Sequence, residues 1–198
     1  MPATDAVAYV RAALPPPPAR VLEIGAGEGE LAAVLRAAGY DVTAIDPKGA
    51  DGVLPVALLD IDAPPRSFDA AVAMVSLHHV VPLGESLRRL SEVMRHGARL
   101  VIDEFDVDLL DERASAWWLN HAGKDKQPAD HVAEMREHLY SVGQIREELA
   151  AWFDLGEPVP GAYFYRWPDR PELRDEEERL IAAGELPAVG TRFIAIRR

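Results

Sequence analysis

Glu23, Gly25, Ala26, Gly27 and Gly29 stand close together between a short apolar run at 21–24 and a helical stripe that begins at Leu31. Glycine at such a strand-to-helix turn adopts positive φ without penalty and leaves no side chain between the backbone and a ligand. A dinucleotide would need a third small residue three positions after Gly27, where its pyrophosphate meets the start of the helix. Glu30 stands there instead, and a carboxylate facing a pyrophosphate is unfavourable. The acidic surroundings of the turn suit a ligand that lacks phosphate and carries positive charge.

Further carboxylates and two imidazoles follow at predicted strand ends. Asp46, before Pro47, closes the apolar run 42–45 at the distance where a ribose-binding carboxylate is expected in a nucleotide-binding βαβ unit. Its two oxygens can accept from both ribose hydroxyls. Asp60, followed by Ile61 and with Asp62 as a near competitor, comes directly after the run 56–59. Ser76, Leu77, His78 and His79 follow the unbroken apolar run 70–75. Adjacent imidazoles titrate near neutral pH, so they can orient an acceptor or remove its proton. Which of the two does so is open at this level.

With these residues in place, the stretch Glu23-Ile24-Gly25-Ala26-Gly27-Glu28-Gly29 resembles the first motif of the class I S-adenosylmethionine-dependent methyltransferases. Leu58-Leu59-Asp60-Ile61 is similar to the family's third motif, in which an acidic side chain accepts from the adenine amino group. Phe68-Asp69, leading through 70–75 into Ser76-Leu77-His78-His79, resembles the fourth motif of the small-molecule enzymes. The resemblance implies S-adenosylmethionine as cofactor, held by Glu23, Gly25, Ala26, Gly27, Asp46, Pro47, Asp60, Ile61 and Ser76. It also implies that His78 and His79 lie beside the transferable methyl group, as catalytic candidates. Transfer from a sulfonium is an in-line displacement in which the protein mainly holds nucleophile and carbon in line.

The elements that must position these residues alternate. Strands are predicted at 21–24, 42–45, 56–59, 70–75 and 100–102, with helices marked by Leu31, Val34 and Leu35 and by Leu83, Leu87, Leu90 and Met94, ending near Gly97. Such alternation predicts a doubly wound α/β sheet, and the resemblance implies seven strands, mostly parallel, with helices on both faces. Before it, Val7, Val10 and Leu14 form a leading helix, followed by the prolines of 15–18, so that 1–19 is a helix and stiff connection.

After Phe105 the alternation breaks. Residues 106–152 carry three helical patterns, one opened by the capping pair Ser141 and Gln144, and form a helical insertion assigned to the acceptor side. Glu104, Trp117, His121 and Tyr163 are the substrate-binding candidates. Closing strands are predicted at 153–167, with Tyr163, Tyr165 and Trp167 on one face, and at 191–196, with a helical insertion at 171–184 between them. The acidic run 175–178 is predicted to be a solvated helix face. The whole, 1–198, is predicted to be one domain.

Composition narrows the partners. A net charge of -12 and the absence of a basic cluster argue against nucleic acid and an anionic membrane surface, and the resemblance implies a small-molecule acceptor. There is no cysteine, hence no disulfide and no thiolate nucleophile. His121, His131 and His138 do not have metal-ligand spacing, so no metal is expected. No apolar stretch reaches the length of a membrane span and the N-terminus lacks a leader pattern, so a cytoplasmic protein is expected. The oligomeric state is left open, a homodimer included. Two rivals remain: a non-catalytic binder of the same cofactor, and a nicotinamide oxidoreductase, disfavoured by Glu30 and the lack of a Tyr-x-x-x-Lys pair.

Overall fold

The computed structural model describes residues 4–167 and 170–198; Met1 to Ala3, where the expected leading segment begins, lie outside the described residues. The chain runs α1 (Thr4–Ala13), β1 (Arg20–Ile24), α2 (Glu30–Ala37), β2 (Asp41–Ile45), β3 (Phe68–Met74), α3 (Leu83–Val93) and β4 (Met94–Phe105). It continues through α4 (Glu112–His121), α5 (Pro128–His138), α6 (Val142–Leu149), β5 (Phe153–Leu155), β6 (Val159–Gly161), α7 (Arg174–Ala182) and β7 (Gly190–Arg197).

The sheet has seven strands in the order β2-β1-β3-β4-β7-β5, with β6 also paired to β7. Strands β1 to β4 are parallel, and β7 is antiparallel to β4, β5 and β6. Alternation along the strands feeds two apolar layers. Leu22, Ile24, Ala71, Ala73, Leu100 and Ile102 pack beneath α3 and α6, whereas Val21, Ala70, Val72 and Val101 pack beneath α1 and α2. Because side chains alternate, a slip of one residue would exchange the two sets, so the register is strongly specified. The small residues of β3, Ala70, Ala71 and Ala73, are fully buried and let helices approach both faces.

The strand expected at 56–59 does not form. Leu54 makes a single parallel bridge with Ile45, its N–H donating to Ala44 O and its carbonyl accepting from Asp46 N. The next residue is Pro55, which has no N–H to continue the ladder, and Leu58–Asp60 becomes a 3-10 turn. The strand expected at 100–102 lies inside the longer β4, which begins directly after α3 and passes through an irregular register before Arg99.

The strand expected over 153–167 is also broken. Pro158 and Pro160 limit its hydrogen bonding, β5 and β6 are short, and Phe164–Arg166 is a 3-10 turn, so Tyr163, Tyr165 and Trp167 share no strand face. The cause lies on α7. Glu177 is buried, contrary to the solvated face expected for 175–178, while Asp175, Glu176 and Glu178 are exposed. Its Oε1 accepts from the N–H groups of Tyr163 (2.7 Å) and Phe164 (2.9 Å), and its Oε2 from Tyr165 N (2.9 Å). One carboxylate thus draws this segment off the sheet and onto a third apolar cluster, built from Phe105, Trp118, Leu119, Val132, Tyr163 and Phe164 with the helices of 106–152.

Those helices begin as their caps dictate: Asp111 accepts from Ala114 N (2.9 Å), and Ser141 and Gln144 form a reciprocal capping box. Among the described residues no helix is long and apolar enough to cross a membrane. Glu177→Ala would leave three buried N–H groups without an acceptor. We expect it to lower the unfolding free energy by about 3 to 5 kcal/mol, read as a lower urea midpoint at unchanged m-value; a loss below about 1 kcal/mol would contradict this role.

Candidate functional site

In an open parallel sheet the space beyond the carboxyl ends of the strands is where loops leave room for a ligand. Here the loops after β1, β2 and β3 enclose a cleft of about 610 Å³, within the range of small-molecule sites. The glycine turn after β1 forms one wall. Gly25 has φ +66°, and a Cβ there would lie 2.4 Å from Ser76 Cβ, so the loops after β1 and β3 touch only because this residue lacks a side chain. Gly27 also has positive φ, but a Cβ there would meet nothing within 4 Å; its bare face opens on the cleft.

The loops after β1 and β2 are tied together through Asp46. Ala26 N donates to Ile45 O (3.0 Å), Gly27 N to Asp46 Oδ2 (3.1 Å) and Lys48 N to Asp46 Oδ1 (2.9 Å). Each carboxylate oxygen has accepted one of these bonds and has a further lone pair for a ligand. Pro47, Val56, Ala57, Leu58, Val80 and Val81 supply an apolar lining.

The loop after β3 is held from beneath by the end of β4. Val75 N donates to Asp103 O (2.7 Å), and Val75 itself has φ +56°, a left-handed conformation that a β-branched residue adopts only under constraint. Glu104 is fully buried; its Oε1 accepts from Ser76 N (2.8 Å) and Leu77 N (2.6 Å), and His78 Nδ1 donates to its Oε2 (2.5 Å). Ser76 Oγ donates to Ile24 O (2.7 Å). His78 is buried behind this network. His79 is exposed and lines the cleft, its ring centroid 4.2 Å from that of His78. Partial desolvation, with His78 and Lys48 nearby, holds its imidazole below the ordinary value of 6.5, although Glu104 pulls the other way. It is therefore a neutral, accessible proton acceptor near pH 7.

Gly25, Gly27, Asp46, Pro47, Ser76 and His79 thus converge on one cleft. Other candidates stand apart. Asp60 is exposed on its 3-10 turn and Ile61 is buried in the core beneath α3, and neither lines the cleft. Ala26 contributes its backbone. Trp117 and His121 contact each other on α4, with His121 Nδ1 donating to Trp117 O (2.9 Å), and Tyr163 is buried in the third cluster, its hydroxyl accepting from Trp167 Nε1 (2.9 Å). Glu28, Lys48, Val56, Ala57, Leu58, Val75, Val80 and Val81 line the cleft without having been singled out. Apolar residues next to Asp46 and Ser76 were the available signal. Among the described residues no group of three or more His, Asp or Glu is arranged to hold a metal ion.

Residues 3–153 match a family model described as a methyltransferase domain. Among curated proteins, the chain is 29% identical to the ubiquinone biosynthesis O-methyltransferase of Xanthomonas campestris pv. campestris, the match covering 86% of this chain and 77% of that protein. Among solved structures it is similar to an S-adenosylmethionine-dependent methyltransferase from Mesorhizobium loti, with a TM-score of 0.64 and 18% identity over 98% of this chain and 96% of that one. It is also similar to the Burkholderia thailandensis 1,6-didemethyltoxoflavin-N1-methyltransferase, crystallised with its substrate and S-adenosylhomocysteine, with a TM-score of 0.59 and 20% identity over 98% of this chain and 77% of that one. At these identities the structural likeness is one of fold.

Glu23 differs from the other site carboxylates. It is buried on β1, its Oε2 has no hydrogen-bond partner among the described residues, and burial pushes its carboxyl from 4.5 up to about 7 despite the nearby Arg36 and an N–H of Ala32. A folded-state value above the unfolded one gives stability that is complete below pH 4.5 and is lost as pH rises through about 7. The loss amounts to about 3 kcal/mol. Glu23→Gln should therefore match the wild type in urea unfolding at pH 4 and exceed it by up to that amount at pH 8; equal stability at both would show that Glu23 is paired or hydrated.

Proposed function

The chain belongs to the methyltransferase domain family and is an S-adenosylmethionine-dependent methyltransferase; from that premise we propose that it methylates a hydroxyl oxygen of a small-molecule acceptor, with His79 removing the proton. The observation that carries this reading is the neutral imidazole of His79 in the cleft. A phenolic hydroxyl must lose its proton to become a competent nucleophile, whereas a neutral amine need not lose one before attack. The O-methyltransferase named among the relatives supports the same choice.

The residues of the cleft fit the cofactor. Gly27 leaves open the space that a side chain would fill, Asp46 can accept from ribose hydroxyls, and Pro47, Ala57, Leu58 and Val80 offer an apolar wall to a purine. S-adenosylmethionine supplies an activated methyl group on a sulfonium, and attack on it is in line. In this reading Gly25 and Ser76 bring the loops after β1 and β3 together, and His79 holds the acceptor hydroxyl and takes its proton. In this reading Glu23, Asp60 and Ile61, which lie outside the cleft lining, make no direct contact with the cofactor.

We take 1–198 as one domain, with the helices of 106–152 and 171–184 covering the acceptor side. The acidic charge, with no basic cluster, supports action on a small molecule and not on nucleic acid or an anionic membrane surface.

The test is a panel of dihydroxybenzenes, hydroxybenzoates and primary amines, with S-adenosylhomocysteine release as readout. Turnover of amines alone would overturn the oxygen assignment. With a phenolic acceptor, His79→Gln should lower kcat by about 100-fold to 10,000-fold and leave cofactor affinity unchanged. The wild-type rate should fall on the acid side with a midpoint below 6.5, because the imidazole must be unprotonated, and the variant should lose that limb. Gly27→Val should abolish S-adenosylmethionine binding in calorimetry while circular dichroism stays native; retained affinity would place the cofactor elsewhere.

A further inference from the structure

Glu104 is a carboxylate with no exposure, and among the described residues its hydrogen bonds go to Ser76 N, Leu77 N and His78 Nδ1. Holding two backbone N–H groups does not require a charge, because the neutral carbonyl of a glutamine accepts the same two bonds. A buried carboxylate costs several kcal/mol of desolvation unless it is paired. The two N–H donors offset part of that cost, and His78 is the one side chain among the three contacts, its Nδ1 bonded to the other oxygen at 2.5 Å. With both oxygens of the carboxylate accepting, Nδ1 of His78 must carry the proton, and the tautomer and plane of that ring are fixed. The backbone carbonyl of His78 is fixed as well, accepting from Tyr140 N (3.1 Å).

His79 is placed against this fixed ring. Its centroid lies 4.2 Å from that of His78 at an interplanar angle of 57°, and its N–H donates to Ser76 O (3.1 Å), within the same clamped loop. Val75, strained at positive φ, begins that loop, so something must hold the backbone in place, and the end of β4 does so through Asp103 O and Glu104. We infer that Glu104 is a positioning residue for methyl transfer: through its charge it locks the ring of His78, and through His78 it sets the direction in which His79 meets the acceptor hydroxyl. This rests on the reading of His79 as the base. It replaces the expectation that Glu104 binds substrate, because a fully buried carboxylate outside the cleft lining meets no acceptor.

The experiment compares the wild type with Glu104→Gln, which keeps the shape and an oxygen for the two N–H groups but removes the charge facing His78. Imidazole 15N chemical shifts, which need no acceptor, should show His78 leaving its single Nδ1-protonated form. With the fastest dihydroxybenzene of the panel, kcat should fall roughly 10- to 100-fold, as when other histidine-orienting groups are removed, while the Kd of S-adenosylmethionine and the thermal midpoint change little. An unchanged His78 tautomer or wild-type kcat would overturn the proposal, as would kcat, Kd and thermal midpoint collapsing together, which marks a merely structural clamp. Should Glu104→Gln fail to fold, His78→Gln leaves both backbone bonds of Glu104 in place and must show the same kcat loss; wild-type turnover there would also overturn the proposal. Full activity of His79→Gln would instead sink the base assignment, so the two failures are distinguishable.

Discussion

A carboxylate shut away from water has to be satisfied by whatever folds around it, and that constraint shapes both ends of this molecule. Glu104 is satisfied by three consecutive residues after β3, Ser76, Leu77 and His78. The first of them, Ser76, meets the glycine turn after β1, so the spacing of the cleft walls depends on the bond pattern beneath it. Glu177 meets the same constraint with three consecutive N–H groups at 163–165 and thereby decides where the aromatic segment packs. Each carboxylate costs desolvation, and each is offset because it organises backbone donors that would otherwise be buried without acceptors. The rest of the cleft follows from the sheet: β1, β2 and β3 end side by side because they are parallel neighbours.

The parts that were legible in the sequence are those fixed by local chemistry. The ends of β1, β2 and β3 could be read from short, mostly apolar runs, and Asp46, Ser76 and His79 stand just beyond the ends of β2 and β3, lining the cleft. The capping box at Ser141 is equally local. What was not legible depends on partners far along the chain. Pro55 ends a ladder that the apolar residues 56–59 would otherwise extend, and without that strand Asp60 lies on an exposed turn. The acidic run 175–178 looks like any solvated face until one of its members is found beneath 163–165. Likewise, alternation predicts Tyr163 on a strand, but tertiary hydrogen bonds to Glu177 override it.

The two histidines show the same division at the scale of one site. Their adjacency was legible; their separation into a buried ring and an exposed one was not, because it depends on Glu104, twenty-six positions away from His78. Once that carboxylate takes Nδ1 of His78, the two imidazoles cannot exchange roles. One ring is fixed by the fold, and the other stays exposed on the cleft.

Unfavourable features gather at these same strand ends. Val75 holds a left-handed backbone conformation, and Glu23 keeps an unpartnered oxygen under α2. Such features persist only where the surroundings over-determine the structure. Here the surroundings are β1, β3 and β4 at the centre of the sheet, with fully buried residues on both faces, so local penalties of a few kcal/mol are held within the best-packed part of the chain. The helices of 106–152 have a different foundation. They rest on a third apolar cluster that meets the sheet at Phe105 and Val75, and Tyr140 N ties them to His78 O in the loop after β3. Which side chains meet there is set by tertiary packing among α4, α5 and α7, which periodicity along the chain cannot reveal.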